Sequence, residues 1–152
     1  MFKRFLTCVL CSLSVFTYAK TPVVLISIDG FAYKYLEQYK PTHILNVSNA
    51  GITANGMVPV FPSKTFPNHL SIVTGKRPGE HSVIQNIFYN RKLKQRYKLG
   101  AGKYNADWVT ASPIWESVEK QGGIAATFFW PESELDVGQH KPTYNFSYDG
   151  SI

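Results

Sequence analysis

Phe61-Pro62-Ser63-Lys64-Thr65-Phe66-Pro67-Asn68-His69 holds a hydroxyl between two prolines and runs into an apolar, helix-capable stretch marked by Leu70, Ile72 and Val73. Gly75 follows as a stop. The layout predicts a helix beginning at Thr65, where backbone N–H groups lack intrahelical partners and the helix dipole is positive. Such a start binds phosphate and lowers the cost of negative charge on an attacking oxygen. The plainer reading of this segment alone is that Thr65 is an N-cap, a position threonine often fills.

Upstream, Pro22-Val23-Val24-Leu25-Ile26-Ser27-Ile28 is a continuous apolar, β-branched run ending in Asp29-Gly30. It predicts a strand buried on both faces, as in a parallel sheet. Functional groups of open α/β sheets collect at the carboxyl ends of strands. Asp29 there reads either as a metal ligand or as the start of a turn or helix. Helices are expected over 31–39, before Pro41, and over 42–50, with Thr42 as cap and Gly51 just past the end. Residues 52–60 read as extended, broken by Asn55-Gly56.

Beyond the Thr65 helix, 76–82 reads as loop and 83–89 as a strand or strand edge. The basic run Arg91-Lys92-Leu93-Lys94-Gln95-Arg96-Tyr97-Lys98 returns it as a hairpin. A solvated hairpin is the first meaning of that run, and attraction of an anionic substrate the second. Ser112-Pro113-Ile114-Trp115-Glu116 predicts a helix with Ser112 at the N-cap and Pro113 in the first position, ended by Gly122-Gly123. Residues 124–130 predict another buried strand, closed by Pro131. The alternation argues an α/β fold with a parallel sheet. Past Pro131 the chain reads as irregular, with no further strand. About three sheet-forming runs are visible, against ~5–6 in an average sheet.

Composition sets the frame. The chain has 152 residues, 44% hydrophobic and 14% aromatic, enough for one globular domain. Met1 to Ala19 has a basic start at Lys3 and Arg4, an apolar run from Phe5 to Phe16 and a small-residue exit. It predicts a secretory signal peptide cut after Ala19, the alternative being a retained anchor. The apolar run is too short to span a bilayer, so no transmembrane segment is expected after cleavage. Both cysteines, Cys8 and Cys11, fall inside it, so no disulfide framework is expected. The formal net charge of +6 drops to +4 without it. No zinc-finger spacing, basic helix or RNP-like pattern suggests a nucleic-acid module.

With these residues placed, the chain resembles the nucleotide pyrophosphatase/phosphodiesterase family of the alkaline phosphatase superfamily. The carrying segments are Val24 to Phe31, Phe61 to His69, Ile72-Val73-Thr74-Gly75, His81 to Asn86, Pro113-Ile114-Trp115 and Ala125 to Pro131. The resemblance implies an alkaline-phosphatase-like, mostly parallel sheet flanked by helices, with residues 20–152 as the N-terminal part of a catalytic domain. It implies a secreted or periplasmic hydrolase that cleaves phosphodiester or pyrophosphate bonds of nucleotides at a two-zinc site, through a covalent threonine intermediate.

Carried over by position, Asp29 is implied as a ligand of one zinc. Thr65 is implied as the nucleophile and a ligand of the same zinc, and Asn86 as a donor to a phosphoryl oxygen. Phe66 and Tyr148 are implied to hold a nucleobase between them, with Trp130 lining the same region and Lys64 reaching distal phosphates. The chemistry is coherent. A threonine hydroxyl is a poor nucleophile until a metal or base removes its proton. Aromatic faces hold a base at about 1–3 kcal/mol each. The sulfatase branch places a modifiable Cys or Ser where Thr65 stands, so threonine favours phosphoryl chemistry.

The family's remaining zinc ligands do not match His43, His69, His81 or His140. The 152 residues alone are therefore expected to be inactive. A non-catalytic fragment and a related phosphatase or phosphomutase are the competing readings.

Overall fold

The computed structural model describes residues 21–134 and 141–147; the expected signal peptide and Tyr148 lie outside the described residues. The organising element is helix α3, Thr65–Thr74. Phe66, Leu70 and Val73, spaced by four and three, put one apolar stripe inward, and all three are buried. Pro67 sits in the first turn, where a missing N–H breaks no helical bond. Gly75 ends the helix in the left-handed region at φ +65, its N–H bonded to the Ser71 carbonyl at 2.9 Å.

Helices α1 (Tyr35–Tyr39) and α2 (Thr42–Ala50) precede it. Helix α2 has the predicted span, but Pro41 occupies the cap, Thr42 is the first helical residue, and no side chain caps the helix. Helix α1 is shorter than expected. Neither helix buries a residue. The stretch 76–82 is not all loop: Pro78–His81 forms the short helix α4. Proline in the first position and the Glu80 carboxylate accepting from the Arg77 N–H at 3.1 Å explain it.

The hairpin is present. Strands β1 (Phe88–Asn90) and β2 (Gln95–Tyr97) pair antiparallel, Phe88 opposite Tyr97. Asn90 Oδ1 accepts from the N–H of Lys92 and of Leu93, closing the turn. Arg91, Lys92, Lys94, Arg96 and Lys98 are all exposed, which bears out the solvated-hairpin meaning. Tyr97 turns fully in, and Leu93 packs partly buried against the same core. Tyr97 stacks on Phe88 at 4.9 Å and meets Trp108 and Phe66 edge-on at 5.3 and 6.4 Å. Val83, Trp108, Val109, Trp115, Ala125 and Trp130 complete the core.

Helix α5 (Ile114–Lys120) begins one residue later than the sequence suggests, with Pro113 rather than Ser112 at the cap. Strand β3 (Ala126–Phe128) is shorter than the predicted run and pairs in parallel with β4 (Tyr144–Phe146), Ala126 opposite Tyr144. Strand β4 corrects the expectation that nothing regular follows Pro131. Its staple is Glu119: one carboxylate oxygen accepts from Ala125 N, Thr143 N and the Thr143 hydroxyl at 2.8, 2.9 and 2.6 Å.

The run 22–28 forms no strand. Val23 is 90% exposed and Ile26 77%. Apolar, β-branched composition suits a buried strand, but a strand exists only where a neighbour takes its backbone hydrogen bonds. Among the described residues no ladder runs alongside this segment.

Candidate active site

The loop ahead of α3 is held by one side chain. Asn68 Oδ1 accepts from Val60 N at 2.8 Å, and its amide donates to the carbonyls of Pro62 and Lys64 at 3.1 and 2.9 Å. This clamp fixes the approach to Thr65, the first residue of α3. The cap position is Lys64, so the N-cap reading of Thr65 fails. The Thr65 hydroxyl instead donates to Asp29 Oδ2 at 2.9 Å, across 36 residues of chain. A partly exposed hydroxyl and an exposed carboxylate thus meet in the lining of a cleft of about 880 Å³. Ser27, Lys64, Asn68, His69 and Asn86 share its lining, with Phe31, Tyr33, Leu36, Met57 and Ile72 as apolar walls.

The helix start is narrower as an anion site than an open helix end. Phe66 N–H is taken by Asn86 Oδ1 at 3.1 Å, Pro67 has no N–H, and Asn68 N–H returns to the Lys64 carbonyl at 3.1 Å. Among the described residues, this leaves the Thr65 N–H as the free donor of the first turn. Because Asn86 spends its oxygen on Phe66 N–H, its amide nitrogen is oriented as a donor and bonds no described residue. One main-chain N–H and one side-chain amide are thus left to donate in the cleft that Thr65 and Asn86 both line.

Asp29, Lys64, Thr65 and Asn86 are brought together in this cleft. Phe66 and Trp130 are not: Phe66 is 0% exposed and Trp130 9%, and both belong to the core. The packing as it stands gives neither a face for a nucleobase. Their burial follows from position. Phe66 begins the inward stripe of α3, and Trp130 closes β3 with its ring edge-on to His69 at 5.4 Å.

A metal fits this donor set in part. Asp29 and Thr65 are oxygen donors in contact, suited to two places around one divalent ion. Among the described residues no group of three or more His, Cys, Asp or Glu is placed to hold an ion. Among the described residues a second metal ion therefore finds no ligand set.

A second polar cluster escaped the sequence reading. Glu132 is fully buried at φ +62, and the Tyr97 hydroxyl donates to its Oε1. Its Oε2, and both oxygens of the buried Glu134, find no partner among the described residues. Burial pushes the Glu132 carboxyl up to about 7; the neighbouring Glu134 adds to the shift and the Tyr97 bond opposes it. Burial also raises Glu134, and burial with Glu132 beside it raises the Tyr97 phenol far above its usual value. Nothing in Pro131-Glu132-Ser133-Glu134 signals burial of charge, because charged residues are normally exposed.

Residues 23–151 match the family model for type I phosphodiesterase/nucleotide pyrophosphatase. Human ectonucleotide pyrophosphatase/phosphodiesterase family member 1 is 38% identical over 135 residues, which make up 86% of this chain and 14% of that protein. Venom phosphodiesterase of Naja atra is 39% identical over 137 residues, 88% of this chain and 16% of that one. Among solved structures, murine ectonucleotide pyrophosphatase/phosphodiesterase 5 aligns with a TM-score of 0.75 at 28% identity, over 83% of this chain and 34% of the other. An inactive threonine-to-alanine form of that murine protein, in complex with AMP, aligns equally well at 27% identity. The fold is thus a partial alkaline-phosphatase-like α/β fold. The chain belongs to the type I phosphodiesterase/nucleotide pyrophosphatase family, and it spans only the stated small share of these relatives' length.

No helix of the described residues is long and apolar enough to cross a membrane.

Proposed function

We propose that this chain carries the nucleophile-bearing part of an exported hydrolase that cleaves phosphodiester or pyrophosphate bonds of nucleotides, with Thr65 as the attacking residue. The observation that carries the reading is the 2.9 Å hydrogen bond from the Thr65 hydroxyl to Asp29 Oδ2 at the first residue of α3. Family membership and a nucleotide-bound, threonine-substituted neighbour support it.

In this reading Asp29 accepts the Thr65 hydroxyl hydrogen, which turns the oxygen's lone pairs toward the cleft. As the Thr65 oxygen attacks phosphorus its proton passes to Asp29, the bond to the leaving-group oxygen breaks and that oxygen takes up a proton; water then cleaves the threonine–phosphorus bond, releasing the phosphate monoester and restoring the Thr65 hydroxyl. The free Thr65 N–H and the Asn86 amide donate to the non-bridging oxygen on which charge grows. Lys64, exposed at the cleft, offers a cation to outlying phosphates. Two bound zinc ions would supply positive charge that lowers the hydroxyl pKa and steadies the leaving oxygen. Asp29 and Thr65 would hold one of them, and further ligands must come from residues not described here. An aromatic grip on the base by Phe66, Trp130 and Tyr148 stays part of the proposal, on the condition that Phe66 uncovers a face now packed in the core. Residues 20–152 are read as the front of the catalytic domain, after a signal peptide ending at Ala19.

The test is Thr65→Ala against Thr65→Ser in the active enzyme. Alanine is expected to abolish turnover of a chromogenic nucleotide diester, and serine to retain part of it. Acid quench with a labelled substrate should trap label on the wild-type chain and none on the alanine variant. Turnover by the alanine variant at the wild-type rate would end the reading.

A further inference from the structure

Asp29 sits at the end of a segment that no described strand holds. What ties this segment to α3 is a closed set of side-chain bonds. The Thr65 hydroxyl donates to Asp29. Ser27 Oγ lies 3.0 Å from His69 Nε2, and His69 Nδ1 lies 2.7 Å from the Thr65 carbonyl oxygen. His69 is four residues after Thr65 on the same helix, so its ring lies over the turn that Thr65 begins. The ring is 8% exposed and braced edge-on by Trp130.

The partners fix the ring's protons. A carbonyl can only accept, so the nitrogen 2.7 Å from it carries the hydrogen. In the neutral ring Nε2 is then an acceptor, and the Ser27 hydroxyl donates to it. Most relevant is what survives catalysis. The Thr65–Asp29 bond is lost once the Thr65 oxygen becomes the nucleophile, whereas the Ser27–His69–Thr65 carbonyl path uses no reacting atom.

We propose that His69, held as its Nδ1–H tautomer, is a positioning residue that ties the Asp29 segment to the Thr65 turn through Ser27. The catalytic part of this proposal rests on the nucleophile reading above; the tautomer and the tie do not. The geometry matters because the distance from Asp29 to Thr65 decides whether both can serve one reaction centre, and small displacements there cost rate steeply.

Two measurements test it. Long-range nitrogen–proton NMR of the ring in the neutral form should report hydrogen on Nδ1 in the wild type. Ser27→Ala should shift Nε2 while leaving hydrogen on Nδ1. Hydrogen on Nε2, or an Nε2 signal indifferent to Ser27→Ala, overturns the proposal. In the active enzyme, Ser27→Ala should lower kcat about three- to tenfold, the value of one neutral hydrogen bond, with KM nearly unchanged. Ser27→Thr should restore it. His69→Phe keeps an aromatic ring against Trp130, and adding Ser27→Ala to it should cost nothing more. Losses that multiply, or a kcat indifferent to Ser27→Ala, overturn the positioning role. A protein without any diester hydrolysis would sink the nucleophile reading, and the ring signals would still decide the tie.

Discussion

Glu132→Gln should stabilise this protein at pH 8 and leave it almost unchanged at pH 4.5. The native carboxyl is raised from an ordinary 4.5 to about 7, chiefly by burial. The folded state therefore holds a proton that the unfolded state releases, so stability is complete below pH 4.5 and is lost as pH rises toward 7. A shift of that size corresponds to about 3 kcal/mol above pH 7. Glutamine keeps an oxygen for the Tyr97 hydroxyl and never ionises. Its gain over wild type should thus grow from near zero to about 3 kcal/mol between pH 4.5 and 8. Urea unfolding followed by the fluorescence of Trp108, Trp115 and Trp130 reads the difference. All three are in the core, so their emission follows its opening. The φ of +62 is common to both residues and cancels. A glutamine variant that is less stable than wild type at pH 8, or whose advantage does not change with pH, would refute the argument.

Leu70→Ala should destabilise by about 2–5 kcal/mol, since Leu70 is 1% exposed in the central stripe of α3; the same urea curves measure it. Glu119→Ala should speed amide exchange at Ala125 and Thr143, whereas Glu119→Gln should preserve part of the protection because an acceptor oxygen remains. The hydrogen bonds from Thr143 and Ala125 lower the Glu119 pKa, so this staple holds through the ordinary carboxylate range and weakens only as pH falls below 4.5, where protection of the two amides relative to their intrinsic exchange rate should drop. Export predicts that N-terminal sequencing of the mature protein starts at Lys20; an intact Met1 in the cytoplasm would exclude it.

Where a pattern repeats over several turns or carries strong end signals, the sequence was enough. Helix α3 follows from its stripe and from Gly75, and α2 from its spacing between Pro41 and Gly51. The hairpin follows from the basic run Arg91–Lys98 returning the apolar stretch before it. Short elements were not legible. Strand β4 is three residues, too few for a period, and exists because Glu119 brings Thr143 to β3. Helix α4 is one turn made by Pro78 and Glu80. The run 22–28 misled because composition reports the burial a strand wants, and the ladder it needs comes from elsewhere. At the site, Asp29 and Thr65 were legible as residue types at element ends, and Asn86 only through the family resemblance. His69 and Ser27 were not, since their link depends on two elements meeting. Phe66 sits beside the nucleophile in sequence, but one helical step turns its side chain by about 100 degrees, into the core.

The Glu119 staple also bears on how this fold can vary. In a hairpin, the length of the turn sets the register, so adding a residue flips the strand's faces. The parallel pair β3–β4 takes its register from a carboxylate on the preceding helix, which grips the residue just ahead of each strand, Ala125 and Thr143. The chain between the buried Glu134 and Thr143 is thereby relieved of that duty. It can gain or lose residues without turning Phe146 away from Phe128, against which it stacks at 5.0 Å. Loop closure penalises such changes only weakly, by about 0.6 kcal/mol for each doubling of length. A peptide tag inserted in that connection should therefore leave the alignment of the sheet intact.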